Sequence, residues 1–371
     1  MARNEPLCDA SHLPSGTVRL SRERIDRQLV RLGLSHEKVA QIAGIARNTF
    51  GAAYNGAPIL RDTAKRIAVA LEVTVEDLLD GSAASINGAE PPPKLIAGEW
   101  RVEQPLGNWI AASNGLQFRL YRVSHHYVAG RQGRAKCYDL LHLSNAAREA
   151  LREQLLRHPM ICERVGPHPH ITENLGTQPG DEAQQWWVID RWIDGMPLSG
   201  RLEPKRIQSD GPIQGPGLAR LMTEIALGLA ALHAKGVVFR ELAPSRVHLH
   251  QADGRVILTE FELAKLLGAA PTVSREWPDD LYRAPEVAGG KTSEQSDFYS
   301  WARILVHAVT GREPSEESPT ARELGSLPKG IWRLTTDCLS RIPSDRPKRI
   351  SQLLSTLERY WTPATWQAAR V

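Results

Sequence analysis

The chain has 371 residues, 42% hydrophobic and 24% charged, with a formal net charge of +4. That length accommodates two or three domains, and so small a charge does not by itself mark a nucleic-acid binder. No apolar run reaches the roughly 18 residues of a membrane span and no apolar signal region opens the chain, which implies a cytoplasmic protein without a membrane partner. Cys8, Cys137, Cys162 and Cys338 lack metal-ligand spacing and read as reduced thiols.

Residues 1–18 mix Pro, Gly and Ser with polar side chains and read as a frayed tail. From 19 to 80 the pattern is helical. Ile25, Leu29 and Leu32 line one face of a helix that Gly33 ends. Ser35 caps a second helix with Val39, Ala40 and Ala43 inward, and Gly44 makes the next turn. Arg47-Asn48-Thr49 opens a third that buries Phe50. A longer helix runs through Ala64, Ile67, Ala70 and Leu71, and Thr74 to Asp77 starts a short last one.

A helix-turn-helix needs a small residue where two helices touch, a glycine in the turn, and an apolar anchor for the recognition helix. Ala40, Gly44 and Phe50 stand at that spacing, with Ile45 as a further buried position. On these residues, 19–80 resembles the all-α DNA-binding domain of the lambda-repressor/Cro-like family. The resemblance implies DNA as a partner, with Arg47, Asn48, Thr49 and Tyr54 facing the groove and Lys38, Arg61 and Lys65 meeting phosphates. It also implies a homodimer reading two half-sites. The competing interpretation is a helical bundle for protein contact, because Glu72, Glu76, Asp77 and Asp80 offset the basic residues.

Residues 81–98, with three consecutive prolines, read as a linker. From 99 to 195 the pattern is mainly strands with one interrupted helical stretch. Leu106-Gly107-Asn108-Trp109 begins like a glycine-rich loop but runs through Ile110 and Ala111 to a lone Gly115. Trp109 and Ile110 would keep backbone amides from cradling a phosphate. Arg134-Ala135-Lys136 is a lysine-bearing strand, and Trp187 to Asp190 precedes a hinge-like Trp192-Ile193-Asp194-Gly195. From 196 to 371, residues 204–217 read as an inserted loop and Leu218–Ala234 as an apolar helix. Gly236–Glu262 reads as a strand–turn–strand hairpin with an Asp253-Gly254 turn.

Phe239-Arg240-Glu241, Arg246 and Glu260-Phe261-Glu262 keep the spacing of H-R-D-L-x-x-x-N and D-F-G, and Ala284-Pro285-Glu286 matches A-P-E. On these motifs the rest of the chain resembles the bilobal α+β protein-kinase fold, with an N-lobe over 99–195 and a C-lobe over 196–371. The whole is then multidomain. The resemblance implies ATP as cofactor, with Lys136 on its phosphates. Glu241 takes the catalytic-loop carboxylate position, Arg246 the metal-binding asparagine and Glu260 the metal-binding aspartate. Glu286, Asp297 and Arg346 take structural roles, Arg346 pairing with Glu286. The glutamate partner of Lys136 stays open between Glu149 and Glu153, with His158 or Pro159 in its place under another alignment.

Phosphoryl transfer depends on positioning and charge neutralisation. Glu241 is a methylene longer than aspartate, and a shift of about 1 Å can reduce a rate on the order of a hundredfold. Ala243 replaces the loop lysine, Arg246 puts a fixed cation where Mg²⁺ would sit, and Glu262 replaces a glycine. Together these changes disfavour Mg²⁺ and imply a regulatory pseudokinase that binds a protein partner or a nucleotide without efficient transfer. Two alternatives stand beside it: an atypical serine/threonine kinase using ATP and directed by its helix-turn-helix, and a protein-interaction scaffold. His248 and His250 read as a solvated strand face, Trp186, Trp187 and Trp366 as packing residues, and Thr272, Ser274 and Tyr282 as plain loop positions.

Overall fold

The computed structural model describes residues 17–79, 95–111, 117–140, 143, 145–180, 185–262, 264–266, 281–315, 319 and 323–361. Residues 1–16, most of the expected linker, Gly115, Thr272, Ser274 and Trp366 lie outside the described residues. The chain divides into two units, 1–95 with 104–121, and 96–103 with 122–371.

The first unit is built on β1 (Thr17–Val18), α1 (Arg22–Leu32), α2 (His36–Ile42), α3 (Arg47–Tyr54), β2 (Ile59–Leu60) and α4 (Arg61–Ala70). Ser21 caps α1 by accepting from Arg24 N at 3.4 Å, and Ser35 caps α2 by accepting from Lys38 N at 3.2 Å. Gly33 ends α1 at φ 61° and Gly44 turns the chain between α2 and α3 at φ 61°, a region that L side chains rarely adopt. Ile25, Val39, Ala40, Phe50, Ala64, Ile67 and Leu71 form its core. The antiparallel pair β1–β2 begins at Thr17, inside the segment expected to be tail. Two residues are too few to carry a period in sequence.

The rest of the chain contributes β3 (Leu95–Ile96), β4 (Trp100–Pro105), β5 (Ile110–Ala111), β6 (Gln117–His125), β7 (Gln132–Asp139), α5 (Asn145–Leu155), α6 (Arg157–Val165), β8 (Asn174–Pro179) and β9 (Gln185–Arg191). These strands form a seven-stranded sheet in the order β3-β4-β6-β7-β9-β8, with β5 on β6. The sheet starts at Leu95, inside the expected linker, and residues 104–121 group with the N-terminal helices and not with the N-lobe. The interrupted helix breaks at Leu156; Pro159 lies in the first turn of α6, where its missing N–H leaves no bond unmade.

Next come β10 (Gly195–Pro197), α7 (Leu198–Arg201), α8 (Pro204–Asp210), α9 (Gly215–His233), β11 (Val237–Val238), β12 (Val247–His250), β13 (Val256–Leu258), β14 (Lys265–Leu266), α10 (Pro285–Ala288), α11 (Glu294–Thr310), α12 (Lys329–Cys338) and α13 (Ile350–Tyr360). Residues 204–210, expected as loop, are helix: Pro204 sits at the first position, where its fixed φ favours helix. The expected hairpin is split. β12 pairs with β13 around Asp253-Gly254, but β11 pairs with β14. Apolar α9 and α11 form the core of this part, with Met222, Ile225, Leu229, Phe298, Trp301 and Leu305 buried.

Asp297, on α11 and fully buried, holds the loop that follows β11. It accepts from Phe239 N at 2.9 Å and Arg240 N at 2.8 Å, and meets His233 Nε2 at 2.8 Å. Removing this acceptor strands three buried donors. Asp297→Ala should therefore lower unfolding stability by about 3–5 kcal/mol in urea titrations, and Asp297→Asn, which keeps one acceptor, by less.

Candidate functional site

Strand alternation puts Arg134, Lys136 and Tyr138 of β7 on one face. Arg134 Nη2 lies 3.0 Å from Glu260 Oε1, and Lys136 Nζ lies 3.0 Å from Glu260 Oε2 and 3.6 Å from Glu262 Oε1. Tyr138 donates its hydroxyl to Glu262 Oε1 at 3.0 Å. Burial raises the Glu260 carboxyl, but Lys136, Arg134 and Arg246 outweigh it and hold the group well below the usual carboxylate range. Glu262 is likewise lowered, Lys136 and His158 overcoming its burial. Glu260 sits at φ 66° and Arg240 at φ 70°, left-handed conformations that cost about 1–3 kcal/mol for residues other than glycine. Their neighbours hold both in place.

The second half of the site is the loop from Phe239 to Arg246. Glu241 is buried, and Arg246 Nη2 lies 2.6 Å from its Oε2 while Arg246 Nη1 donates to its backbone carbonyl at 2.6 Å. The side-chain approach is an ion pair outside hydrogen-bond angles, so among the described residues neither Glu241 oxygen accepts a hydrogen bond. Arg246 Nε also lies 3.8 Å from Glu260, and Arg283 Nη2 lies 3.9 Å from Glu241. Arg246 thus lies between the catalytic-loop carboxylate of Glu241 and the carboxylate of Glu260. Among the described residues no group of three or more His, Cys, Asp or Glu side chains converges.

Glu149 and Glu153 of α5 are exposed, and Glu149 pairs with Arg152 at 3.1 Å. The carboxylates on Lys136 come instead from Glu260 and Glu262. The sequence offered a signal for this, since a charged residue in place of a D-F-G glycine must find a counter-charge if buried. His158, one of the residues that another alignment puts at the glutamate position, lies on α6. It is fully buried, meets Asp190 Oδ1 at 2.7 Å and accepts from Phe261 N at 3.0 Å. Burial lowers His158, but Asp190, with Cys162 beside it, raises it well above the usual histidine value.

His248 does not lie on a solvated face. It is buried, and burial with the Arg134 cation nearby lowers it to about 4; only His250 is half exposed, against Asp253 at 2.9 Å. Arg346 donates to Glu286 through both terminal nitrogens at 2.7 and 2.9 Å, and Ser296 Oγ adds a bond at 2.8 Å. In the first unit Arg47 and Asn48 are exposed and Thr49 half buried at the start of α3. Tyr54 is turned away from them: its hydroxyl donates to Asp26 at 2.7 Å and its ring packs on His36 and Arg22.

A family model described as protein kinase domain matches residues 135–360. The chain is 28% identical over 273 residues to serine/threonine-protein kinase PkaA of Streptomyces coelicolor, covering 68% of this chain and 48% of that protein. To serine/threonine-protein kinase pkn2 of Myxococcus xanthus it is 26% identical over 280 residues, covering 73% and 29%. It thus spans about half or less of the length of these relatives. The fold is similar to the kinase domain of Mycobacterium tuberculosis PknI, with a TM-score of 0.55 and 22% identity over 73% of this chain and 100% of that one. Among the described residues no helix is long and apolar enough to cross a membrane.

Proposed function

This chain belongs to the protein kinase family, and we propose that it is a regulatory member in which a nucleotide is held without efficient phosphotransfer. The observation that carries this is Arg246, 2.6 Å from Glu241 and 3.8 Å from Glu260. A guanidinium is charged at all working pH values and cannot be deprotonated to make room for a metal. Lys136, Arg134 and Arg246 are the cations that would meet nucleotide phosphates, each exchanging its contact with Glu260. Binding is then expected without divalent metal. Titration with a fluorescent ATP analogue should give the same affinity in EDTA as in Mg²⁺, and Lys136→Met should weaken it at least about tenfold. Strict Mg²⁺ dependence would overturn the reading.

A second reading, an atypical serine/threonine kinase, is favoured by the relatives' names and by one local feature. The Glu241 oxygens are buried acceptors without a hydrogen bond among the described residues, as a base awaiting a substrate hydroxyl would be. Transfer of label from ATP that is abolished by Lys136→Met would establish it.

We further propose that the N-terminal unit binds DNA through Arg47 and Asn48 at the exposed start of α3, with Thr49 beside them, and acts as a homodimer. Arg47→Ala with Asn48→Ala should abolish a salt-dependent, sequence-selective shift of DNA, each lost bidentate contact weakening it by about 1–3 kcal/mol. Selective binding that survives both changes would remove α3 from the groove.

A further inference from the structure

A cleft of about 920 Å³ lies within the second unit, lined by the end of α6, the turn 166–169, the segments 171–176 and 191–193, and β13 with Arg255 before it. Arg134, Lys136, Glu241, Arg246, Glu260 and Glu262 are all absent from its lining, so it is separate from the charged site described above. Pro159, Pro169, Ile171, Ile193 and Ile257 give it apolar walls. Apolar walls, a few polar groups and a volume of about 300–1,000 Å³ are the general features of a small-molecule site.

Most of the polar residues in the cleft are already engaged. Glu173 is neutralised by Arg191, whose Nε lies 2.6 Å from its Oε2. The Asn174 amide donates to Ile189 O and to Asp190 Oδ1, both at 3.1 Å. Burial and the neighbouring His170 hold His168 below the ordinary histidine value, so it is uncharged at neutral pH. Glu163 is exposed, where solvent and salt screen it. Two groups remain. Thr172 is 4% exposed, and its hydroxyl makes no hydrogen bond among the described residues. Arg255 Nε is likewise buried and makes none among them. Asp253 Oδ2, at 3.8 Å, is beyond hydrogen-bond reach of that nitrogen. The other oxygen of Asp253 accepts from the Arg255 backbone N–H at 3.0 Å and meets His250 Nδ1 at 2.9 Å. A buried donor without an acceptor is costly, and a ligand that brings one removes the penalty. Both remaining groups can donate, and one of them is a cation.

We propose that this cleft binds a small carboxylic acid with an apolar body. The carboxylate accepts from Arg255 and from the Thr172 hydroxyl, and the body lies against the proline and isoleucine walls. A guanidinium presents paired donors that match a planar carboxylate, and charge-assisted bonds of this kind are the stronger ones. The site does not depend on a nucleotide being held at Lys136.

Calorimetric titration of the full chain with octanoate and with 1-octanol tests this. Octanoate should bind at one site per chain, at least about tenfold more tightly than the alcohol. Arg255→Met, which keeps an apolar stem, should weaken octanoate at least about tenfold and leave 1-octanol unchanged. Thr172→Val keeps the shape of the side chain and drops the hydroxyl, and should weaken octanoate about three- to tenfold. Because it removes an unsatisfied buried group, Thr172→Val should not lower the urea midpoint, which separates lost binding from lost folding. Should Arg255→Met fail to fold, Thr172→Val decides. Equal binding of acid and alcohol overturns the carboxylate assignment. Octanoate binding that neither substitution weakens overturns the site. Absence of octanoate binding at millimolar concentration overturns the proposal outright.

Discussion

A buried carboxylate must be neutralised, and Glu260 sets that requirement for the whole site. Three cations from two regions of the chain answer it: Arg134 and Lys136 from β7, and Arg246 from the loop before β12. Removing any one leaves charge in a low-dielectric environment, which costs several kcal/mol unless the group is paired again. The arrangement therefore ties the strand that carries Lys136 to the loop that carries Glu241. The same contacts occupy the side chains that a nucleotide and a metal would otherwise engage.

The unusual residues make sense as a set. Arg246 is matched by Glu241 and Glu260 beside it. Glu262 would be an unmatched buried carboxylate without Lys136 and the Tyr138 hydroxyl. Helix α5 supplies no carboxylate to Lys136, and α6 supplies His158, held by Asp190 and by the backbone of Phe261. Replacing Arg246 alone by a neutral residue would therefore leave Glu241 without its nearest cation.

Around this site the frame is conventional in its physics. Asp297 collects two backbone amides and a histidine, fixing the loop without using any side chain of the reaction centre. Glu286 and Arg346 make a bidentate pair whose carboxylate Ser296 also supports; burial raises Glu286, but Arg346 and Ser296 hold it lowered. These contacts depend on backbone geometry and buried charge, and neither is disturbed by changes at positions 241, 246, 260 and 262.

Local chemistry was legible in the sequence. The cap at Ser35 is satisfied by a side chain three residues from the group it bonds, and the glycine turns by backbone freedom at one position. Apolar periodicity likewise marked α1, α4 and α9, and motif spacing put Glu241, Arg246, Glu260 and Glu286 in order along the chain. The β1–β2 pair, the helix at 204–210 and the separate pairing of β11 with β14 escaped it, because short elements are decided by what they pack against. Burial of His248 escaped for the same reason: an alternating strand has two faces, and sequence does not say which one another element covers. That Arg134 and Lys136 meet Glu260, and that Trp109 lies under Arg27, depend on groups tens of residues apart meeting at 3 to 5 Å. Sequence alone determined which charges had to be buried or balanced; only tertiary packing, by excluding water and choosing neighbours, decided the partners.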